Sequence, residues 1–421
     1  MAILKPFRAI RPEKDLARKV AALPYDVYNR AEARAAALSE PLSFLNIDRP
    51  ESQFAEDYDM YAPEVYKKAA DMLSEQIENG TYLQDEKECY YIYELTMNGR
   101  SQTGLVSCAS IDDYLCGVIK KHENTRADKE LDRINHVDAC SAQTGPIFLA
   151  YRKNEEIESV VNKIKASAPE VSFISEDGIT HRVWVIDGES DITAIRTAFE
   201  KINHIYIADG HHRAASAVKV GLKRREEDKA SDGTFNPEAE YNYFLNVAFP
   251  ENELKIMDYN RVVKDLNGKT TEQFMAEIAK YFEVSTPCEE AVSPKEKCEF
   301  GMFLEGKWYR LSAKKGIYDE KDPVASLDVS ILQDRLLGPV LGIQDPKTDK
   351  RIDFVGGIRG LSELERRVNS DMKVAFSMYP TSITELFDVA DAGLLMPPKS
   401  TWFEPKLRSG LFIHAFEKIK K

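Results

Sequence analysis

Residues His204–Val218 read His-Ile-Tyr-Ile-Ala-Asp-Gly-His-His-Arg-Ala-Ala-Ser-Ala-Val, and this stretch decides how the fold is interpreted. Its apolar, β-branched run predicts a strand that ends at Asp209-Gly210, and the Ala-rich segment after it predicts a helix. The start of a helix offers unpaired backbone N–H groups and a positive dipole end, to which Arg213 adds a guanidinium fork. The stretch therefore predicts a strand–turn–helix with a site for phosphate or another anion.

Asp209 brings the opposite charge to the same turn. A carboxylate beside a helix start suits the removal of a proton from a hydroxyl, or the binding of a cation that accompanies phosphate. The alternative is an ordinary turn, in which the histidines only cap the helix and Arg213 pairs with a surface carboxylate. Turn chemistry explains Asp209-Gly210 but not the run His211, His212 and Arg213 directly after it, so we favour a functional site.

Length and composition define the class of protein. A chain of 421 residues suggests two or three domains. Its net charge of −13 and its pI of about 5.3 argue against broad binding to nucleic acid or to an anionic membrane. The N-terminus lacks the pattern of a signal peptide, and no apolar run approaches the roughly 18 residues of a membrane span. We expect a cytoplasmic protein.

The cysteines do not indicate a metal site. They show no Cys-x-x-Cys pair and no histidines at zinc-ligand spacing. We expect free thiols, largely buried, and no structural zinc at any of the six positions, which are Cys89, Cys108, Cys116, Cys140, Cys288 and Cys298.

The patterning separates three segments of the chain. Helical spacing marks Ala31–Leu38 and Ala62–Ile77 in the first segment. A hairpin signal around Asn98-Gly99 and the strand before Asp209 mark the second. Strands alternating with helices mark the third. The predicted fold class is α+β, with segments at residues 1–88, 89–250 and 251–421.

A second cluster of polar residues, Val118–Arg126, follows a short apolar run. It places Lys, His, Glu and Thr side chains within about one turn, and this combination suits proton transfer together with anion contact. The alternative is a solvated helix start. The side chains of interest are His122, Glu123 and Thr125, with Arg133 shortly after them.

A third cluster lies in Val389–Gly410, where three prolines within nine residues forbid a continuous helix. A stiff loop of this kind displays cations and hydroxyls that suit an oxyanion. The alternative is a buried corner held by Trp402 and Phe403, and both can hold at once. The nearby Arg351–Gly360 is a weak phosphate-loop pattern that favours a tight turn. The predicted anion-binding side chains are Lys399, Ser400, Thr401, Lys406 and Arg408.

Taken in order along the chain, several motifs resemble the uncharacterised-domain family DUF1015. The turn at Asp209 is also similar to that of free serine kinases, which share the ParB/sulfiredoxin-like fold. The resemblance covers the chain from end to end and rests on Phe7-Arg8, Leu23–Val27, His122–Thr125, Ala208–Arg213, Asp353–Gly357 and Met396–Phe403.

The resemblance implies a pyrophosphate-dependent kinase that makes O-phosphoserine from free L-serine with Mg²⁺. It implies a ParB/sulfiredoxin-like catalytic unit in 89–250, a helical N-terminal part in 1–88 and an α/β domain in 251–421 that adds a phosphate-binding loop. Glu123 would serve the substrate hydroxyl and Asp209 would be catalytic or bind the metal, with 85 residues between them that imply an insertion. Phosphate would contact His211, His212 and Arg213, and the substrate would contact Arg8, Asp26, His122, Thr125 and Arg133.

Two other classes of function remain open. A non-catalytic sensor of a phosphorylated small molecule needs the cationic groups but no base. A ParB-like nuclease or DNA-binding protein is disfavoured by the negative charge. A homodimer is compatible with the sequence. If the kinase interpretation holds, we expect the three clusters to meet in one cleft.

Overall fold

The computed structural model describes residues 1–418 and has an α+β fold. By its internal contacts the chain forms two compact units. Unit 1 contains residues 1–254 together with residues 405–418, and unit 2 contains Lys255–Glu404. This division differs from the three sequence segments, because residues 405–418 fold into unit 1 and not with the residues that precede them.

Unit 1 is built on a mixed sheet flanked by helices. Its helices are α1 Ala17–Val20, α2 Arg30–Ser39, α3 Leu45–Asp48, α4 Pro63–Glu78, α5 Ile111–Leu115, α6 Ala127–Cys140, α7 Glu155–Lys165, α8 Glu189–Glu200 and α9 His211–Asp232. Its strands are β1 Leu4–Lys5, β2 Ile10–Pro12, β3 Tyr82–Gln84, β4 Tyr90–Met97, β5 Arg100–Ser110, β6 Ile119–Lys120, β7 Ala142–Gln143, β8 Ile147–Tyr151, β9 Val171–Ile174, β10 Thr180–Ile186, β11 Ile205–Asp209, β12 Tyr243–Pro250 and β21 His414–Ala415.

The main sheet has the order β6-β11-β8-β12-β5-β4-β10-β9, and β1 pairs with β5. Strands β6 and β11 run parallel, as do β8 and β12, and the other neighbouring pairs are antiparallel. Because the carboxyl ends of parallel strands lie at the same edge of a sheet, the segments that follow β6 and β11 start at the same edge.

The predicted hairpin and helices are confirmed. Strands β4 and β5 pair from Tyr91↔Val106 to Met97↔Arg100, and the turn residues Asn98 and Gly99 both have positive φ, as a two-residue hairpin turn requires. Helices α2 and α4 coincide with the predicted helical spacing to within a residue or two. The core of unit 1 lies between the sheet and its helices and includes Ile92, Leu149, Ile207 and Phe244.

The C-terminal segment is held in unit 1 by long-range backbone contacts. The Ile10 N–H donates to the Ile413 carbonyl at 2.9 Å, and β21 pairs with β7. Gly410 has φ +86°, and a Cβ there would approach the Phe44 side chain to 2.6 Å, so only glycine fits. The Tyr82 hydroxyl donates to the Gly410 carbonyl at 3.0 Å.

Unit 2 is an antiparallel sheet of order β15-β17-β16-β19-β14-β18 with helices on it. Its strands are β13 Ile256–Met257, β14 Tyr259–Val263, β15 Phe282–Val284, β16 Glu299–Leu304, β17 Lys307–Ala313, β18 Ile352–Gly356, β19 Val374–Met378 and β20 Trp402–Phe403. Its helices are α10 Thr271–Ile278, α11 Asp328–Leu332, α12 Leu361–Val368 and α13 Ile383–Asp391.

Close packing explains the glycines of the weak phosphate-loop pattern in unit 2. A Cβ at Gly356 would lie 2.9 Å from the Trp402 ring, and a Cβ at Gly357 would lie 2.0 Å from the Asp258 carboxylate. Trp402 also packs edge-on against Tyr259, with ring centroids 5.0 Å apart. The glycines therefore permit the close packing around Trp402 that the sequence analysis offered as the alternative to a phosphate-binding loop.

Candidate functional site

The predicted strand–turn–helix is present where β11 ends and α9 begins. Gly210 has φ +92°, a left-handed conformation that favours glycine, and a Cβ there would also lie 3.0 Å from the Arg213 guanidinium. Asp209 Oδ1 accepts the Gly210 N–H at 2.8 Å. The backbone N–H groups of His211–Arg213 belong to the first turn of α9 and have no carbonyl of that helix to bind. They are available to an anion.

Asp209 forms an ion pair with Lys406 from the C-terminal segment of unit 1. The Lys406 Nζ lies 3.0 Å from Asp209 Oδ2. Burial raises the pKa of Asp209, but the charges of Lys406 and Arg213 lower it further, to well below its usual range. The carboxylate therefore stays ionised at neutral pH. Such a weak base is better suited to orienting a hydroxyl or a cation than to taking up a proton.

The loop between β6 and α6 lies beside the start of α9. His122 is buried, and its ring meets the His211 ring edge-on with centroids 4.5 Å apart. At the other end of the loop, the Arg126 N–H donates to His212 Nε2 at 3.0 Å. Glu123 is half-buried between these two anchors. The structure thus holds the Glu123 loop against the first turn of α9.

The three histidines of this region are held in their neutral form. Burial lowers the pKa of His122 to about 4 and that of His211 well below its usual value. Burial also lowers the pKa of His212, against the nearby charge of Asp26. The Nδ1 of His122 and the Nε2 of His211 are buried without a hydrogen-bond partner among residues 1–418. Positive charge near the start of α9 therefore comes from Lys406 and Arg213, with Lys121 and Arg126 close by, and not from imidazolium.

Arg213 and Arg133 line a pocket beside the start of α9. Arg213 donates through Nη1 to the Pro146 carbonyl. Arg133 donates through Nε to Asp132 Oδ2 at 3.1 Å, and its guanidinium stacks over the Tyr25 ring at 4.2 Å. The pocket wall also carries the polar side chains Asp48, His136, Gln143, Thr144 and Ser409.

Other predicted residues have partners of their own. The Thr125 hydroxyl donates to Glu130 at 2.8 Å, and Arg8 pairs with Glu88 at 3.3 Å on the surface. Arg408 is buried and pairs with Asp177. Arg8 and Arg408 are therefore tied to carboxylates outside the α9 region.

The remaining predicted anion ligands lie in unit 2. The Lys399 ammonium lies over the Tyr259 ring, 5.6 Å from its centroid. The Ser400 hydroxyl donates to the Pro397 carbonyl at 2.6 Å, and the Ser400 side chain is buried. Thr401 is half-buried next to it. The predicted loop is therefore split, because Lys406 and Arg408 belong to unit 1.

Several residues of the pocket were missed by the sequence analysis. Asp48, His136 and Thr144 come from separate stretches of chain, and none carries a recognisable local spacing. Tyr25 belongs to the Leu23–Val27 motif of the family resemblance, but nothing in that motif predicts that its ring stacks on Arg133. Only the packing of α3, α6 and α9 brings these side chains to one pocket.

No three His, Cys, Asp or Glu side chains are placed to hold a metal ion in the part of the chain that the structure describes. The cysteines within residues 1–418 are free thiols, but Cys116 and Cys288 are exposed, so the expectation of largely buried thiols holds only in part. None of the described helices is long and apolar enough to cross a membrane.

The comparisons with known proteins identify the family. The model described as "Protein of unknown function (DUF1015)" matches residues 4–330, so the chain belongs to this family. Lys406 lies beyond the matched residues. No curated protein matches the chain.

Three solved structures are similar to the chain at low identity. One is a free serine kinase mutant in complex with AMP, at 15% identity and a TM-score of 0.35 over 71% of this chain and 87% of that one. Another is a conserved hypothetical protein from Pyrococcus furiosus, at 16% identity and a TM-score of 0.33 over 73% and 93% of the two chains. The third is a C-terminally truncated SbnI from Staphylococcus aureus, at 13% identity and a TM-score of 0.35 over 71% and 82%.

Proposed function

We propose that this protein transfers a phosphoryl group from pyrophosphate, or from a nucleotide, to the hydroxyl of free L-serine, giving O-phosphoserine. One observation carries the proposal. At the start of α9, unpaired backbone N–H groups and the Lys406 ammonium lie near an ionised Asp209, and the Glu123 loop and a polar pocket both border this turn. Phosphoryl transfer needs mainly positioning and charge stabilisation, and this arrangement offers both.

The phosphoryl donor binds at the first turn of α9. The N–H groups of His211–Arg213 and the helix dipole favour a phosphate there, and Lys406 adds a cation. Neutral His211 and His212 add polarity but no charge. Pyrophosphate needs no pocket for a base or ribose, which fits a site made of a helix start and a lysine.

Glu123 is the better general base of the two predicted carboxylates. Asp209 is held ionised by Lys406 and so accepts a proton poorly, whereas Glu123 lies in the adjacent loop. In the step, the serine Oγ bonds to one phosphorus of pyrophosphate, the bond from that phosphorus to the bridging oxygen breaks, and the other phosphate leaves. The hydroxyl proton passes to Glu123, while Asp209 orients the acceptor.

Magnesium remains a prediction from the family resemblance. The Asp209 carboxylate already binds the Gly210 N–H and Lys406, and by itself it does not form a dedicated divalent-cation site. No part of the step above therefore depends on Mg²⁺.

A phosphate sensor is the second candidate. The low pKa of Asp209 favours a sensor, because a carboxylate that does not take up a proton at neutral pH can hold a ligand but is a poor base. The two candidates differ in their need for Glu123, since a sensor uses no base.

The deciding experiment incubates the protein with L-serine and labelled pyrophosphate, ATP or ADP and measures labelled O-phosphoserine. Glu123→Gln keeps the shape and removes the base, so turnover should fall by about 10²–10⁴-fold with donor binding retained. Glu226→Gln is the matched control, because Glu226 is an exposed residue of α9 that pairs with Lys229 on the surface. Wild-type turnover in Glu123→Gln, or no transfer from any donor, would exclude the kinase and favour the sensor.

A further inference from the structure

The pocket beside α9 carries two opposite charges, Asp48 and Arg213, that form no ion pair within 4 Å among the described residues. It is lined by residues of α3, α6 and α9, by the β7–β8 loop and by the C-terminal segment, and it encloses about 430 Å³ of empty space including its mouth. Inside the pocket, the centre of a water molecule can reach only about 30 Å³, so a bound amino acid also occupies the mouth. The charged side chains of its wall are Asp48, Arg133 and Arg213.

Asp48 is a buried carboxylate that feels the charge of Arg133 but has no cation within ion-pair distance among the described residues. Its side chain is 3% exposed, and Oδ1 accepts the Thr144 hydroxyl at 3.0 Å. Within residues 1–418 it forms no ion pair, because Arg133 pairs with Asp132. A buried charge is costly unless it is paired, so Asp48 is suited to a ligand that brings a cation.

His136 adds a second acceptor to the same wall. Its Nε2 donates to the Ile47 carbonyl at 2.8 Å, which leaves Nδ1 as a bare acceptor. That Nδ1 is buried, and no donor reaches it from the described residues. Burial lowers the pKa of His136, and the charge of Arg133 lowers it further, so the ring stays neutral. An ammonium group offers several N–H donors and can satisfy both Asp48 and His136.

Arg213 is the complementary cation. It is half-buried, donates to the Pro146 carbonyl and has no carboxylate within ion-pair distance in the described part of the chain. A guanidinium presents a fork that matches a carboxylate bidentately. Because Arg213 belongs to the first turn of α9, a ligand held by it lies next to the proposed phosphoryl donor.

We infer that this pocket recognises the zwitterionic end of a free α-amino acid: its α-ammonium binds Asp48 and His136, and its α-carboxylate binds Arg213. The inference deepens the proposed function, on which it rests for the hydroxyl acceptor. It assigns Arg213 to the acceptor and not to the phosphate, and it makes Asp48 and His136 specificity-determining residues.

The test measures binding without any phosphoryl donor, by calorimetry, for L-serine, glycerate and ethanolamine. Glycerate lacks the ammonium and ethanolamine lacks the carboxylate, so L-serine should bind more tightly than either. Asp48→Asn should weaken L-serine binding by about 10- to 150-fold, as expected for a lost charge-assisted bond, and leave glycerate binding unchanged. Arg213→Gln should weaken L-serine and glycerate but not ethanolamine.

The control variant is Asp138→Asn, because Asp138 lies on α6, the helix that carries Arg133 and His136, and pairs with Lys223 and Arg224 outside the pocket. In Asp48→Asn the amide oxygen can still accept from the Thr144 hydroxyl, and the glycerate arm checks that the variant is folded. Equal weakening of L-serine and glycerate by Asp48→Asn, or ethanolamine binding as tightly as L-serine, would overturn the inference.

The same variants separate this inference from the proposed function. Asp48-dependent binding of L-serine without any O-phosphoserine formation would refute the kinase and support the amino-acid pocket. Turnover of L-serine with an unchanged KM for L-serine in Asp48→Asn would support the kinase and refute the pocket.

Discussion

The ion pair between Lys406 and Asp209 allows a quantitative prediction. The perturbation is Lys406→Met, which keeps the length of the side chain and removes its charge. At the observed separation of 3.0 Å, Coulomb attraction at an effective dielectric constant of about 20 is about 5.5 kcal/mol, an upper bound before desolvation is subtracted. Removing one partner of a largely buried pair leaves the other charge uncompensated. We expect the free energy of unfolding to fall by about 2–3 kcal/mol at pH 7.

The stability that the ion pair contributes depends on pH through the pKa of Asp209. The pKa of Asp209 in the folded state lies below that of the unfolded chain, about 3.9, so the pair stabilises the fold fully above that pH. The stabilisation is lost as the pH falls through the folded-state pKa. The difference between wild type and Lys406→Met should therefore be largest near neutral pH and shrink progressively below about pH 4.

Urea denaturation at several pH values, followed by circular dichroism, measures the free energy of unfolding. A shift of the midpoint with an unchanged m-value reports the loss of stability. The double variant Lys406→Met with Asp209→Asn is the control, because it leaves no unpaired carboxylate and should recover much of the lost stability. Strictly additive single effects, or a difference between wild type and Lys406→Met that is the same at pH 3 and pH 7, would refute the reasoning.

Three further predictions follow from the same region. Gly210→Ala should destabilise the protein by about 1–2 kcal/mol, because φ is +92° and the new methyl group would meet the Arg213 guanidinium, and chemical denaturation checks it. Protonation of His212 Nε2 should break the hydrogen bond that it accepts from the Arg126 N–H. Because burial lowers the pKa of His212, NMR should show the ring and the Arg126 amide titrating together below pH 6.5. An Arg126 amide signal that does not move over this range would contradict the prediction. If Mg²⁺ serves the reaction, EDTA should abolish O-phosphoserine formation and added Mg²⁺ should restore it, whereas full turnover in EDTA would exclude the metal.

Local patterns predicted the elements of the site well. The strand before Asp209, the helix after Gly210 and the hairpin at Asn98-Gly99 all depend on residues close in sequence, and the structure confirms each of them. The order of motifs along the chain also indicated the family correctly. The secondary structure depends on periodicity and turn residues close in sequence, and the family depends on short motifs in a fixed order.

Local patterns did not predict which charged side chains pair with each other. Lys406 and Arg408 stand two residues apart in one loop pattern, yet Lys406 pairs with Asp209 and Arg408 pairs with Asp177. The sequence analysis predicted that Lys399, Lys406 and Arg408 all bind an anion and did not distinguish among them. Their partners lie some 200 residues away or in unit 2, so spacing alone cannot assign them.

Local sequence patterns place Asp209, His211 and Arg213 on a strand–turn–helix and Glu123 on a polar loop. The charge states and partners of these groups depend on the folded chain. Burial makes the histidines neutral, and the C-terminal segment brings Lys406 to Asp209 and keeps that carboxylate ionised. The packing of α3, α6 and α9 also brings Asp48 and His136 to the wall that Arg213 shares. The physical reason is that charge state depends on burial and on neighbours distant in sequence, whereas secondary structure depends largely on neighbours along the chain.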